Sequence, residues 1–194
     1  MTPLLACNDL TCIRGGRLLF KDVGFALAPG EALWVRGPNG VGKSSLLRLV
    51  AGLLPPEAGT VTRPALLALA DERAALDPEL PLARALAFWG PLDGADPAAI
   101  SAAMDAMALA PLADVPVAML STGQRKRAVL ARTIASGAQL WLLDEPGNGL
   151  DAASLDMLRA VIARHRASGG CILFASHFDL ALPEQQEFLL GGRA

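Results

Sequence analysis

The stretch GPNGVGKSS, Gly37 to Ser45, organises the rest of the chain. It fits the phosphate-loop pattern G-x-x-x-x-G-K-[ST] at Gly37, Gly42, Lys43 and Ser44. Gly37, Gly40 and Gly42 open backbone conformations closed to residues with side chains and let amide N–H groups approach a polyphosphate. Pro38, Asn39, Val41 and Ser45 complete the loop. Lys43 is expected to reach the β- and γ-phosphates and the Ser44 hydroxyl to hold Mg²⁺. EALWVRG before the loop reads as a buried strand. SSLLRLVAGLL after it reads as a helix whose N-terminal dipole faces the anion. Strand, loop and helix together separate this motif from a glycine-rich turn that binds nothing.

The second informative stretch is LWLLDEPGNGLD, 140 to 151. Four apolar residues form a strand with two carboxylates at its C-terminal end, where open α/β sheets hold their ligands. Asp144 is placed to hold Mg²⁺, and Glu145 to position and deprotonate an attacking water. In MLSTGQRKRAVLARTIASGAQ, 119 to 139, Ser121 or Thr122 can cap a helix running to about Ser136. Gly123 and Gln124 then sit at a second helix start suited to an anion, although a plain capped start would read the same way. CILFASH, 171 to 177, is a further buried strand. Its neighbours in the sheet should aim His177 at the γ-phosphate, whereas a lone histidine is more often solvated or structural.

Length and composition fit around these motifs. The chain has 194 residues, enough for one α/β domain with a small insertion. It is 53% hydrophobic with a formal charge of −2, so no basic surface for nucleic acid is expected. Charges and prolines interrupt each apolar run short of a membrane span. Three cysteines without metal-ligand spacing suit a reducing compartment, and no signal peptide is legible, so a cytosolic protein is expected.

Residues 3 to 28 read as an antiparallel pair or meander broken by GGR at 15 to 17. ALLALA, 65 to 70, is a candidate strand, though its composition would also suit a helix. Residues 71 to 120 read as an all-helical insertion, with helices over 82 to 89 and 97 to 110 and a loop from Gly90 to Pro97. The amphipathic run 152 to 167 is a further helix, and EFLLGG, 187 to 192, a last short strand.

Phosphate loop, LSTGQ, LLDEP, GLD and His177, in this order, resemble the ATP-binding-cassette ATPases over essentially the whole chain. The resemblance implies an α/β phosphate-loop core with an N-terminal antiparallel β-subdomain and a helical insertion. In it, 1–70 and 138–194 form the core, and 71–137 form the insertion with the signature helix. It implies that Lys43, Glu145 and His177 are catalytic, and that Ser44 and Asp144 hold Mg²⁺ beside ATP. It further implies a homodimer in which Ser121, Gly123 and Gln124 of one copy, with Asp151 nearby, complete the nucleotide site of the other. Three departures stand out. Thr122 replaces a signature glycine. No tyrosine is available to stack on adenine, and Arg14 falls near that place. Asp71 or Glu72 stands where the family has a glutamine contacting metal and water.

Within the superfamily, the L-x-C-x-D-L-x-C pattern at Leu5 to Cys12, GGRLLF and GPNGVGKSSLLRLVAGLLPPEAG resemble the haem exporter ATP-binding proteins of cytochrome c maturation. That resemblance implies an integral membrane partner and a peripheral position on the cytoplasmic side of a bacterial inner membrane. The partner's cytosolic helix is expected to dock near 71 to 90, with Phe88 or Trp89 as an anchor, unless both rings fill the core of the insertion itself. No haem contact by this chain is expected: C-x-x-C-H is absent, and neither His165 nor His177 has a ligand-like setting. The alternatives are the ATPase of another short transporter and a soluble ATP switch.

Overall fold

The structure is a computed structural model that describes residues 2–71 and 75–191. Its framework is a five-stranded parallel sheet in the order β5-β6-β7-β3-β8. The strands are β3 (Ala32–Arg36), β5 (Leu67–Ala70), β6 (Leu140–Asp144), β7 (Cys171–Ala175) and β8 (Gln186–Leu189). β3, β6 and β7 occupy the middle and are buried almost throughout. That explains their unbroken apolar runs, because a parallel sheet is covered on both faces.

Alternation along β6 shows the two faces. Leu140 and Leu142 face a cluster shared with helix α1 (Lys43–Val50) and a second sheet. Trp141 and Leu143 face a cluster shared with α5 (Ala152–Ala167) and the helical insertion. The second sheet is the expected antiparallel β-subdomain, ordered β2-β1-β4 from β1 (Leu5–Arg14), β2 (Arg17–Leu27) and β4 (Ala58–Thr62). Gly15 and Gly16 make its two-residue turn, both at positive φ, between paired Arg14 and Arg17. Cys7, Cys12 and Cys171 are buried thiols; burial pushes Cys7 and Cys171 up to about 12, so they act as small core residues.

The insertion holds α2 (Leu82–Asp93), α3 (Pro97–Ala106) and α4 (Thr122–Ala135). Its apolar residues, among them Leu82, Leu86, Met104 and Leu130, belong to the same cluster as the sheet residues Trp141 and Phe174. The two parts of the chain therefore share one continuous core.

Several element boundaries differ from expectation, among them β8, which ends at Leu189 rather than 192. α2 continues through Gly90-Pro91 instead of breaking there. Pro91 lies in the last turn, where its missing N–H removes a single bond, and Gly94 in the left-handed region ends the helix. α3 stops at Ala106 rather than 110, and Ala108 at φ 50 turns the chain into a short 3₁₀ segment, Ala110–Leu112. α1 ends at Val50, four residues early, ahead of Gly52 at φ 77.

The aromatic pair on α2 divides. Trp89 is held within the chain: the Arg132 guanidinium lies 3.6 Å from its ring centroid, and its Nε1 donates to the Ala75 carbonyl at 2.6 Å. Phe88 meets it edge-on but is 63% exposed, so Phe88, and not Trp89, is the ring left at the surface.

Candidate nucleotide-binding site

The phosphate loop joins β3 to α1 with Gly42 as the N-cap at φ 115. A side chain at Gly42 would press within 3.1–3.2 Å of Phe20 and Leu19 on β2, so the loop is seated directly on the β-subdomain. A side chain at Gly37, φ 145, would meet the Leu190 carbonyl at 2.6 Å. No side chain caps α1, so its first N–H groups face the cavity unshielded by the chain's own oxygens. Lys43 is buried, and its Nζ donates to the carbonyls of Gly37 at 2.9 Å and Pro38 at 3.3 Å. The ammonium is thereby stretched back under the loop it belongs to.

A cavity of about 310 Å³ opens over this loop. Asn39, Gly40, Gly42, Lys43, Ser44 and Ser45 line one wall. Asp144, Glu145 and His177 line the other, and Leu19 closes the side. Pro38 contributes its carbonyl to Lys43, and Val41 packs into the apolar cluster beneath α1. The register of β6 with β7 sets Asp144 opposite Ala175, which carries the acids and His177 to the same sheet edge.

Asp144 and Glu145 are both buried, at 6% and 8% exposure. Glu145 adopts φ 47, a left-handed conformation that a residue with a side chain enters only under constraint. Its N–H donates to the Ala175 carbonyl at 2.8 Å. Its carboxylate is gripped twice by His177: Nε2 lies 3.1 Å from Oε1, and the His177 N–H donates to Oε2 at 3.3 Å. Ser44 and Asp144 both line the cavity, one as a hydroxyl and the other as a buried carboxylate. Such a pair of hard oxygen donors suits Mg²⁺, which takes few protein ligands beside a triphosphate. Among the described residues no cluster of three His, Cys, Asp or Glu is placed to hold a metal ion.

Ser121, Gly123, Gln124 and Asp151 do not line this cavity. Ser121 and Gln124 form a reciprocal capping box on α4: Ser121 Oγ accepts from the Gln124 N–H at 3.2 Å, and Gln124 Oε1 accepts from the Ser121 N–H at 2.8 Å. Gly123 lies where a side chain would come 3.0 Å from the Gly149 carbonyl, so the signature start packs on the turn that follows Glu145. Asp151 caps α5, accepting from the Ser154 N–H at 2.8 Å. Hydrogen bonds from Ser154, side chain and then backbone, hold its carboxyl below the usual range.

The departures also find their places. Asp71 follows β5 and its carboxylate meets Arg48 of α1 at 3.3 Å; it does not line the cavity. Glu72 lies outside the described residues. Arg14 is exposed at the tip of the β1–β2 hairpin, also outside the cavity lining. Two residues escaped sequence reasoning: Leu19, whose contact depends on how β2 packs on the loop, and Lys126, whose Nζ donates to the Asp144 carbonyl at 3.2 Å. RKR at 125 to 127 reads only as charges spread around a helix.

A phosphate loop entering an uncapped helix from a central parallel strand, faced by paired acids and a histidine on the adjoining strand ends, defines a P-loop ATPase domain. A family model described as "ABC transporter" matches residues 20–148. A cytochrome c biogenesis ATP-binding export protein CcmA from Sphingopyxis alaskensis is 61% identical over 98% of both chains. One of the same description from Zymomonas mobilis is 53% identical over 96% of this chain and 84% of its own. A solved ATP-binding subunit of an ABC transporter, 25% identical, superposes with a TM-score of 0.82 over 90% of this chain and 80% of its own. A Clostridium perfringens structure described as part of an ABC transporter complex has the same fold, with a TM-score of 0.80 at 22% identity, covering 98% and 85%. The chain belongs to the ABC transporter ATP-binding family and, within it, to the cytochrome c biogenesis ATP-binding export proteins, CcmA.

Proposed function

We propose that this chain is the ATP-hydrolysing subunit of a bacterial inner-membrane complex that drives haem export, or release of a haem chaperone, in c-type cytochrome maturation. The observation that carries the ATPase reading is the convergence of Lys43, Ser44, Asp144, Glu145 and His177 on one cavity. Lys43 and the first N–H groups of α1 bind the phosphates. Glu145 takes a proton from the attacking water, and His177 holds the carboxylate that does so. A Mg²⁺ ion held by Ser44 and Asp144 would neutralise charge on the β- and γ-phosphates. Arg14, with no tyrosine to compete, offers a guanidinium face to the base.

The signature lies away from this cavity, which supports a head-to-tail homodimer: Ser121 and Gly123 of one copy would face the phosphates held by the other. Ser121→Arg is then expected to leave nucleotide binding intact and abolish ATP-driven dimerisation.

Among the described residues no helix is long and apolar enough to cross a membrane. Attachment would therefore go through an integral partner. A groove of about 210 Å³ runs between the end of α1, β5 and α4, with Leu53, Leu67, Leu76 and Arg132 in its lining. It has room for a side chain from a partner's cytosolic helix, with exposed Leu53 in its lining, and exposed Phe88 on α2 offers a second apolar contact outside it. The cytochrome c role is supported by the names of the 61% and 53% identical relatives. It is tested by deleting the gene: c-type cytochromes should disappear and return with the wild-type chain but not with Glu145→Gln. Normal cytochrome c levels in the deletion strain would refute it.

A further inference from the structure

The peptide unit joining Asp144 to Glu145 is held from both sides. Its N–H donates to the Ala175 carbonyl of β7 at 2.8 Å. Its carbonyl accepts from Lys126 Nζ at 3.2 Å. β7 is a fixed neighbour of β6 within the sheet. Lys126 belongs to α4, the helix that begins with the exposed capping box of Ser121 and Gln124. Immediately after this peptide, Glu145 stands at φ 47. A strained conformation of that kind persists only where the surroundings over-determine it.

We infer that Lys126 is a positioning residue for hydrolysis: its ammonium fixes the Asp144–Glu145 peptide and so ties the direction of the Glu145 carboxylate to the placement of the signature helix. The inference rests on the reading of Glu145 as the base. Lysine suits the task because its long stem spans from helix to strand end and its charged donor makes a strong bond to a carbonyl. Rotation of this peptide would swing the carboxylate within the cavity and pull against both contacts from His177. Nucleotide binding depends on the phosphate loop and Lys43, and Lys126 does not line their cavity. Anything that shifts the start of α4, including an anion arriving at Ser121, therefore reaches the general base through five residues of helix and one hydrogen bond.

The test is steady-state ATPase kinetics of the full chain with Lys126→Met, Lys126→Arg and Glu145→Gln, beside melting temperatures and binding of a fluorescent ATP analogue. Misplacement of a catalytic group by about an ångström is expected to lower kcat roughly tenfold or more in Lys126→Met. KM, analogue affinity and melting temperature should stay at wild-type values, and Lys126→Arg, which restores a charged donor, should recover most of the rate. A Lys126→Met enzyme with wild-type kcat, while Glu145→Gln is dead, overturns the tether alone. A fall in kcat shared by KM or by the melting temperature, or not relieved by arginine, overturns it as well. An active Glu145→Gln would remove the reading on which it rests.

Discussion

Two helix starts in this chain face outward with the same dipole, and they are built in opposite ways. α1 begins at Gly42 with no side-chain cap, and its donors open into the cavity of Lys43, Asp144 and Glu145. α4 begins at Ser121 with both halves of a capping box closed, so two backbone donors already have partners within the chain. The first start opens into a cavity lined by Lys43, Asp144 and Glu145. The second lies outside that cavity, with the Ser121 hydroxyl engaged by the Gln124 N–H and Gly123 packed near the Gly149 carbonyl. The contrast teaches that a helix dipole alone does not make an anion site; what matters is whether the chain has already satisfied the terminal N–H groups.

The comparison breaks most sharply at the acid beside the first start. Glu145→Gln keeps the shape and the hydrogen bonds to His177 but removes the basic oxygen, so ATP turnover is expected to fall by about 10²-fold or more with nucleotide affinity retained. Unchanged turnover in a coupled ATPase assay would show that another group is the base. A smaller effect is expected from disturbing the second start within the chain. Ser121→Ala removes one half of the capping box, and the melting temperature should drop by a few degrees, for a cap loss of about 1 kcal/mol. A rise or no change by calorimetry would mean that the box carries no strain-free bond.

Away from both starts, the aromatic pair on α2 sharpens the same distinction between groups satisfied inside the chain and groups left for a partner. Trp89→Ala loses the Arg132 stacking and the bond to Ala75, and should destabilise by about 2 kcal/mol in chemical denaturation. Phe88→Ala should leave stability nearly unchanged and weaken retention on membranes. The reverse ranking would place the docking surface elsewhere.

The smallest effect expected concerns His165, stacked on Trp141 at 3.8 Å. Burial lowers its pKa, only partly offset by hydrogen bonding to Cys171 and Gln139. The unfolded chain thus binds a proton more readily than the folded one. Stability from this group is full above the unfolded value near 6.5 and is lost as pH falls through it. Melting temperature should therefore decline as pH falls below about 6.5, and His165→Gln should flatten that slope.

Much of the site is legible in the sequence because its chemistry is local. Gly37 to Ser45 carries strand, loop and helix in one run, and Asp144-Glu145 ends an apolar strand whose neighbours are equally apolar. Helix ends were less legible. Ala108 takes a left-handed turn that nothing about alanine announces, and Pro91 fits inside α2 because it lies in the last turn. Contacts between distant segments were not legible at all. The Arg48 partner of Asp71, the seat of the phosphate loop on Leu19 and Phe20, and the reach of Lys126 to Asp144 all depend on how layers pack. The division between Phe88 and Trp89 was equally hidden, since two adjacent rings on a helix differ only in which way the helix is turned.

One helix start is expected to bind nucleotide alone, and the other to be completed only by a second copy. The most direct test is light scattering on size-exclusion chromatography of the Glu145→Gln chain, with and without ATP and Mg²⁺, beside the same chain carrying Ser121→Arg. A dimer with ATP and a monomer without it are expected, and a monomer under both conditions once Ser121 is replaced, although the doubly substituted chain still binds a fluorescent ATP analogue. An ATP-dependent dimer that survives Ser121→Arg would contradict this arrangement.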